Sequence, residues 1–219
     1  GRVVKGVRFQ GLRDVADPAD LAALYQSQGA DELTLLDVSA TPRGRATAVA
    51  TVARVRAALS IPLTVGGGVR SVDDAARLLD AGADKVAINT QATIEPALVT
   101  AIATRCGAQC AVVAIDARRA PNTERADGAE RTPPAWTVVV RSGDQPTDLE
   151  ARAWARRVQD LGAGEVLLTS WDRDGTRAGY DLELIAAVAS AVSIPVIASG
   201  GVSSLDDLRA LKAAGSVAG

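Results

Sequence analysis

Histidine is absent from this sequence. Ser-His-Asp and Cys-His catalysis are therefore excluded within the chain, and acid–base chemistry falls to carboxylate, Lys, Tyr or Cys side chains. Cysteine is scarce, with only Cys106 and Cys110 present. Because no histidine or further cysteine could complete a zinc site, we expect two buried thiols rather than a redox or metal pair, and no bound metal.

Long apolar runs are also missing. None approaches the roughly 18 residues that a transmembrane helix needs, and the first residues lack the apolar stretch of a signal peptide. The net charge is only −2, with Lys and Arg scattered along the chain, whereas a nucleic-acid partner usually requires a basic stripe. These absences predict a cytoplasmic protein with neither a membrane nor nucleic acid as partner. The length of 219 residues and the hydrophobic content of 47% predict a single domain over 1–219.

Short apolar runs alternate with amphipathic segments such as 72–81 and 151–161, in which apolar residues are spaced three and four apart. Repeated βα units predict a parallel sheet covered by helices. The polar, Pro-rich segment 117–149 interrupts this pattern and predicts a mobile loop on the catalytic face, with a small hairpin that begins at 136–141. The six predicted strands are 32–37, 61–66, 85–89, 111–116, 165–170 and 194–199.

An internal repeat relates the two parts of the chain at an offset of 133 residues. Residues 26–40 align with 159–173, and 61–82 align with 194–215. This repeat predicts a (β/α)8 TIM barrel made of two half-barrels, about 1–133 and 134–219. Because a complete pair needs about 266 residues and eight strands, we expect the first strand and the eighth βα unit to be missing. An open doubly wound sheet is the alternative fold.

Two glycine turns, at 66–68 and 200–201, each follow a predicted strand and precede a predicted helix. Glycine lets backbone N–H groups approach an anion closely, and the positive end of the helix dipole favours the anion further. A single Gly-Gly turn could be explained by the geometry of a tight βα turn. Two symmetry-related turns instead predict two phosphate sites on opposite sides of one mouth. The helix starts carry the capping pairs Ser71 with Asp74 and Ser204 with Asp207.

Polar residues that can donate hydrogen bonds accompany each turn. Asn89 and Thr90 lie in the first half, and 174–176 lie in the second. A small sugar phosphate would need only one phosphate site. The expected ligand is therefore a longer bisphosphate that bridges both turns.

Asp116 ends the predicted strand 111–116, where its carboxylate is expected to point into the mouth. An N-cap or a loop-anchoring role is the alternative. The repeat places a counterpart at the end of the first strand, upstream of residue 1. Two carboxylates that face each other across a bisphosphate would supply one general acid and one general base.

A family resemblance spans nearly all of the chain. Segments such as PLTVGGGVRSVDDA at 62–75 and GAGEVLLTSWDRDGTRAGYDLEL at 162–184 resemble the cyclase subunits of imidazole glycerol phosphate synthases. The resemblance implies a cofactor-free lyase of histidine biosynthesis. Its expected reaction joins ammonia to phosphoribulosyl-formimino-aminoimidazole carboxamide ribonucleotide, which yields imidazole glycerol phosphate and aminoimidazole carboxamide ribonucleotide. The other segments that carry the resemblance are 1–7, 29–40, 82–90, 108–119 and 195–201.

The resemblance also implies roles for single residues. Asp116 matches one of two catalytic aspartates, and the other is expected just before Gly1. The residues that would bind the substrate and its phosphates are Gly67, Gly68, Asn89, Thr90, Thr169, Asp174, Gly175, Gly200 and Gly201.

Three charged residues, Glu32, Lys85 and Glu165, begin alternate buried strands and so belong to one layer at the base of the barrel. Buried charges are unfavourable unless they are paired. A structural salt-bridge plug would explain them. The resemblance favours a gate that admits ammonia from a docked glutaminase subunit, with Asp84 and Gln109 at the partner interface.

Three features depart from the cyclase pattern. Segment 202–215 is closer to the paralogous isomerase of the same pathway, which is the alternative enzyme. Trp171 stands where a smaller apolar residue is expected and could alter the packing under the second phosphate site, and 141–143 replaces a segment that usually contains His. Because one catalytic Asp and two strands are expected outside the chain, a non-catalytic phosphate-binding fragment is a third interpretation.

Overall fold

The computed structural model describes residues 2–7, 10–38, 40, 49–120 and 135–213. Helices and strands alternate along most of the described chain. In chain order they are β1 (Val3–Val7), β2 (Gln10–Ala16), α1 (Pro18–Ser27), β3 (Leu33–Leu36), α2 (Val49–Ala57), β4 (Leu63–Gly66), α3 (Val72–Asp80), β5 (Lys85–Ile88), α4 (Thr90–Ile94), α5 (Ala97–Cys106), a 3₁₀ turn (Ala108–Cys110), β6 (Ala111–Arg119), β7 (Trp136–Val140), β8 (Gln145–Glu150), α6 (Ala151–Asp160), β9 (Glu165–Ser170), α7 (Leu182–Ala189), β10 (Val196–Ser199) and α8 (Leu205–Ala213).

The central sheet contains six parallel strands in the order β3-β4-β5-β6-β9-β10. Each strand lies beside the strand of the preceding βα unit, and the sheet curls as part of a (β/α)8 barrel. A doubly wound sheet would reverse its order at a switch point, and no reversal occurs within the described strands. The six predicted strands and the barrel fold are therefore confirmed.

Two apolar layers flank the curled sheet. The outer and larger layer fills the space between the strands and the helices, where amphipathic helices such as α3 and α6 bury one face. The inner layer comprises Ala87, Val112 and Leu167, with Ala114 and Ile197 packed against them. Side chains alternate between the faces of a strand. The residues that follow this inner layer toward the carboxyl ends of the strands therefore face the mouth.

The same contacts recur at the offset of 133 residues. The Gln26 side chain accepts a hydrogen bond from Ser60 N at 2.7 Å, and the Gln159 side chain accepts one from Ser193 N at 2.6 Å. Helices α1 and α6, which begin at Pro18 and Ala151, keep the same spacing. This recurrence supports our proposal of two half-barrel repeats.

The hairpin predicted after residue 136 is present as β7 and β8, which pair antiparallel with each other. The antiparallel hairpin of β1 and β2 was not predicted. Within the predicted loop 117–149, residues 121–134 lie outside the described part.

Two expectations are wrong in detail. Strand β6 continues to Arg119, because β7 pairs with its last four residues, so Asp116 lies inside the strand rather than at its end. Cys106 and Cys110 are half-buried rather than buried, because they lie at the end of α5 and in the 3₁₀ turn near the surface; neither forms a disulfide.

Candidate active site

A cleft of about 110 Å³ opens at the carboxyl ends of β3, β4, β5, β6 and β9. This is the end of a (β/α)8 barrel at which catalytic residues lie. Of the predicted site residues, five line the cleft together with the Asp116 carboxyl, namely Gly67, Gly68, Asn89, Thr90 and Thr169.

Asp116 is a buried carboxyl group on the inner face of β6, with 7% of its surface exposed. It lies level with Thr169 on the neighbouring strand β9. The Asn89 side chain, from the end of β5, donates a hydrogen bond from Nδ2 to Asp116 Oδ2 at 2.8 Å. Three strands of the sheet therefore define the position of this carboxyl.

Burial raises the pKa of Asp116 from its ordinary 3.8 to about 7. The negative charge of Asp174 raises this pKa further, whereas hydrogen bonds from Thr169 and Asn89 lower it. Near neutral pH the group is thus divided between its protonated and ionised forms. A carboxyl in this condition can donate or accept a proton during a reaction.

The first glycine turn is shaped by a close backbone contact. Gly67 has φ +97°, and a Cβ at this position would lie 2.3 Å from the backbone oxygen of Asp37. Only glycine fits there without a backbone shift. The following helix α3 begins after Ser71, whose hydroxyl accepts a hydrogen bond from Asp74 N at 3.1 Å. The turn thus brings glycine backbone and a helix N-terminus to the edge of the cleft, as anion binding requires.

The second glycine turn repeats this geometry. Gly200 has φ +95°, and a Cβ on it would lie 2.8 Å from Ser170 O, the residue related to Asp37 by the repeat. A Cβ on Gly201 would lie 2.3 Å from Gly179 O. Gly200 and Gly201 therefore pack against the loop 171–179, which carries Asp174 and Gly175. None of these four predicted residues is among those that line the described cleft.

Three charged side chains lie in contact at the amino ends of the strands, away from the cleft. Lys85 Nζ lies 3.0 Å from Glu32 Oε2 and 2.9 Å from Glu165 Oε2, and the Thr64 hydroxyl donates to Glu32 Oε1 at 2.7 Å. Burial opposes the charge on Lys85, but the hydrogen bonds and charges of the two glutamates outweigh it and raise the pKa of Lys85. The predicted grouping of these three residues is confirmed, and its role as a gate remains a proposal.

The two residues predicted at the partner interface are both exposed at this lower rim. Asp84 accepts a hydrogen bond from Leu63 N at 2.8 Å and forms an ion pair with Arg56 at 3.1 Å. Gln109 lies in the 3₁₀ turn. The geometry leaves both side chains accessible to a partner.

Ser142 also lines the cleft and was not predicted. It lies in the tight turn between β7 and β8, where Gly143 N donates to Val140 O at 3.1 Å. Arg141 and Ser142 both have positive φ, +54° and +59°, as the two central residues of a type I′ turn require. The Ser142 hydroxyl donates to Val38 O at 3.0 Å, so this turn reaches across the mouth to the loop after β3.

Comparison with known proteins identifies the family of this chain. The model of the family described as "Histidine biosynthesis protein" matches residues 1–219. The chain belongs to this family. A relative from Myxococcus xanthus (strain DK1622), named "Imidazole glycerol phosphate synthase subunit HisF", is 57% identical over 210 residues. The match covers 96% of this chain and 78% of the relative. The family resemblance found in the sequence is thereby confirmed.

Two further properties of the described residues concern metals and membranes. They contain no group of three or more His, Cys, Asp or Glu side chains that could hold a metal ion. No helix in the same part of the chain is long and apolar enough to cross a membrane.

Proposed function

We propose that this chain is the cyclase subunit of an imidazole glycerol phosphate synthase. The observation that carries this proposal is the buried Asp116 carboxyl with a pKa of about 7 in the cleft beside the first glycine turn. It occurs in a chain that is 57% identical to a protein named as that subunit. The proposed reaction joins ammonia to the formimino substrate and releases imidazole glycerol phosphate and aminoimidazole carboxamide ribonucleotide.

Substrate binding is proposed to use both glycine turns. One phosphate would accept hydrogen bonds at Gly67, Gly68 and Thr90, and the other at Gly175 and Gly201. Backbone N–H groups and helix N-termini stabilise such anions. The two turns follow β4 and β10, which are four strands apart in the sheet and would face each other in an eight-stranded barrel. The reacting middle of the substrate would then lie over Asp116.

Asp116 is proposed to transfer protons during ring formation and cleavage. Its pKa of about 7 lets it take a proton from an attacking amine and return it to a departing nitrogen at neutral pH. Asn89 would hold the carboxyl in place through its hydrogen bond to Oδ2. Thr169, on the adjacent strand, would fix the carboxyl from the other side.

Ammonia is proposed to enter from the lower rim. The three charges of Glu32, Lys85 and Glu165 stand at the base of the sheet, and Asp84 and Gln109 lie exposed beside them. A glutaminase subunit docked there would release ammonia next to Lys85. The relative's printed name, which calls it a subunit, supports the expectation of a partner.

The isomerase and the non-catalytic fragment remain the alternatives to this proposal. The family description covers histidine biosynthesis broadly, whereas the relative's name favours the cyclase. Incubating the purified protein with ammonia and each pathway substrate separates the three. A cyclase consumes the ribulosyl substrate and releases imidazole glycerol phosphate, an isomerase converts the ribosyl precursor without ammonia, and a fragment does neither.

The decisive variant is Asp116→Asn, with ammonia as the nitrogen donor. Loss of general acid–base catalysis should lower kcat by about 10² to 10⁴-fold while KM stays nearly unchanged. Asp148→Asn is the matched control, because Asp148 is an exposed aspartate on β8. Wild-type turnover by Asp116→Asn would remove this carboxyl from the mechanism.

A further inference from the structure

Arg118 and Trp171 continue the inner faces of β6 and β9 beyond the carboxyl site. Asp116 is level with Thr169, and Ala117 is level with Ser170. Trp171 N donates to Ala117 O at 2.9 Å, so the ladder continues one step further. Because side chains on one face of a strand are two residues apart, Arg118 and Trp171 form the next layer above Asp116 in the mouth.

The guanidinium of Arg118 lies over the Trp171 ring, with Cζ 5.5 Å from the ring centroid. An indole face attracts a cation and restricts the conformations of a long side chain. A Cβ added to Gly143 would lie 1.9 Å from the Trp171 indole nitrogen, so the ring is also packed against the β7–β8 turn. Because Trp171 is the first residue of the loop 171–179, the guanidinium that lies over its ring is next to this loop.

Two other arginines of these segments already have partners. Its neighbour Arg119 is paired with Glu183, and Arg173 donates to Ala178 O at 3.0 Å. Arg118 forms no ion pair with any carboxylate of the residues that the structure describes. A half-buried guanidinium of this kind is available to a ligand.

The adjacent loop 171–179 has no excess of positive charge, because its two arginines, Arg173 and Arg177, are balanced by Asp172 and Asp174. The negative charge of Asp174 also raises the pKa of Asp116. A phosphate dianion bound at Gly175 and Gly201 would be repelled by these carboxylates. Backbone N–H groups carry only partial charges, whereas an arginine provides a full charge and a planar pair of donors that matches phosphate.

We propose that Arg118, held in place by Trp171, binds the phosphate group of the substrate that lies at the loop 171–179. This inference rests on the proposed function, because it assigns a further binding residue to the same site. It also gives a reason for a tryptophan where the family resemblance predicts a smaller apolar residue. Arg118 is a binding residue and Trp171 a positioning residue, and neither takes part in proton transfer.

Steady-state kinetics on the purified protein provide the first test. Arg118→Gln should raise KM for the formimino substrate by about 10- to 100-fold, the range expected for a hydrogen bond to a charged group, with little change in kcat. Arg118→Lys should recover part of this loss, because it restores the charge without the planar pair of donors. Arg105→Gln, an exposed arginine on α5, is the control.

Trp171 is tested by two substitutions. Trp171→Phe keeps an aromatic face for the guanidinium and should leave KM within a few-fold of wild type. Trp171→Leu removes that face and should raise KM toward the value for Arg118→Gln. If the double variant Trp171→Leu with Arg118→Gln has the same KM as Arg118→Gln alone, Trp171 acts through Arg118. Fully additive increases in KM would overturn the positioning role.

A fluorescence titration with inorganic phosphate tests binding without turnover. Trp136 and Trp154 are both only 2% exposed, so Trp171 is the tryptophan placed to respond at the mouth. Phosphate should change the emission of wild type with saturation, and Arg118→Gln should weaken the apparent affinity by about tenfold or more. Unchanged phosphate affinity in Arg118→Gln overturns the inference even if the wild-type enzyme is active. An inactive wild type with Arg118-dependent phosphate binding would instead overturn the proposed function alone.

Discussion

Replacing Asp116 by asparagine should make the protein more stable at the same time as it removes activity. The carboxyl is buried in the folded chain, and its pKa there is about 7 against an ordinary 3.8. Ionisation is therefore harder in the folded than in the unfolded state. Asparagine has nearly the same shape, can accept the hydrogen bond from Asn89 and never ionises.

The magnitude follows from the difference between the two pKa values. At about 1.4 kcal/mol per pH unit, the difference between about 7 and 3.8 corresponds to about 4 kcal/mol. The folded-state pKa of Asp116 is the higher one, so the folded state binds the proton more tightly than the unfolded state does. The resulting contribution to the unfolding free energy is fully present below about pH 4 and is lost as the pH rises to about 7. The advantage of Asp116→Asn over wild type should therefore grow by about 2 to 3 kcal/mol between about pH 5 and about pH 8.

Urea unfolding of wild type and Asp116→Asn at these two pH values measures the effect directly. Asp148→Asn again provides the control, since an exposed carboxylate should give the same small difference at both pH values. A constant difference between Asp116→Asn and wild type across this range would show that Asp116 titrates normally. The assignment of Asp116 as a proton donor and acceptor at neutral pH would then fail with it.

Further substitutions test the surroundings of this carboxyl and the two ends of the barrel. Asp174→Asn removes a repelling charge and should lower the pH at which ionisation of Asp116 destabilises the protein. Thr169→Val removes a hydrogen bond to the carboxylate and should raise that pH. Unfolding measured as a function of pH reports both shifts. Gly67→Ala should lower the unfolding free energy by about 3 kcal/mol or more, against about 1 kcal/mol for Gly29→Ala, which has a similar φ but open space. Lys85→Met should lower the unfolding free energy by about 2 kcal/mol, because it leaves two carboxylates unpaired. Adding Glu32→Gln and Glu165→Gln to this variant should recover part of the loss.

Most of the fold could be predicted because each strand is a short apolar run between turn residues. The exception in length is β6, which was expected to end at Asp116 and continues to Arg119. The extra residues are polar or small, and they are extended because β7 pairs with them. Such an extension depends on a partner strand distant in sequence, which periodicity does not reveal.

The hairpin of β1 and β2 was missed although the repeat could have predicted it. An offset of 133 residues relates β7, which begins at Trp136, to β1, which begins at Val3. The later hairpin was recognised from its apolar run WTVVV, whereas VVKGV contains a lysine and a glycine. The apolar pattern is therefore weaker in the first hairpin, although both hairpins pair antiparallel.

The site residues that could be predicted are those that directly follow a strand of the central sheet. Asn89 and Thr90 follow β5 directly and line the cleft, as expected. Ser142 lines it too, but it lies on a hairpin turn, and its proximity to Val38 depends on how that hairpin folds over the mouth. Its sequence neighbours, Arg141 and Gly143, indicate a turn without indicating what the turn contacts.

The pKa of Asp116 is the property least visible in the sequence, because both parts of the repeat contribute to it. Asn89 comes from the first part, whereas Thr169 and Asp174 come from the second. The hydrogen bonds lower the pKa, and burial and the Asp174 charge raise it. A change in the alignment of β6 with β9 would alter the Thr169 contact and the Asp174 distance together. The ionisation of this carboxyl therefore reports whether the two parts are correctly packed, and proton transfer at neutral pH depends on the same packing.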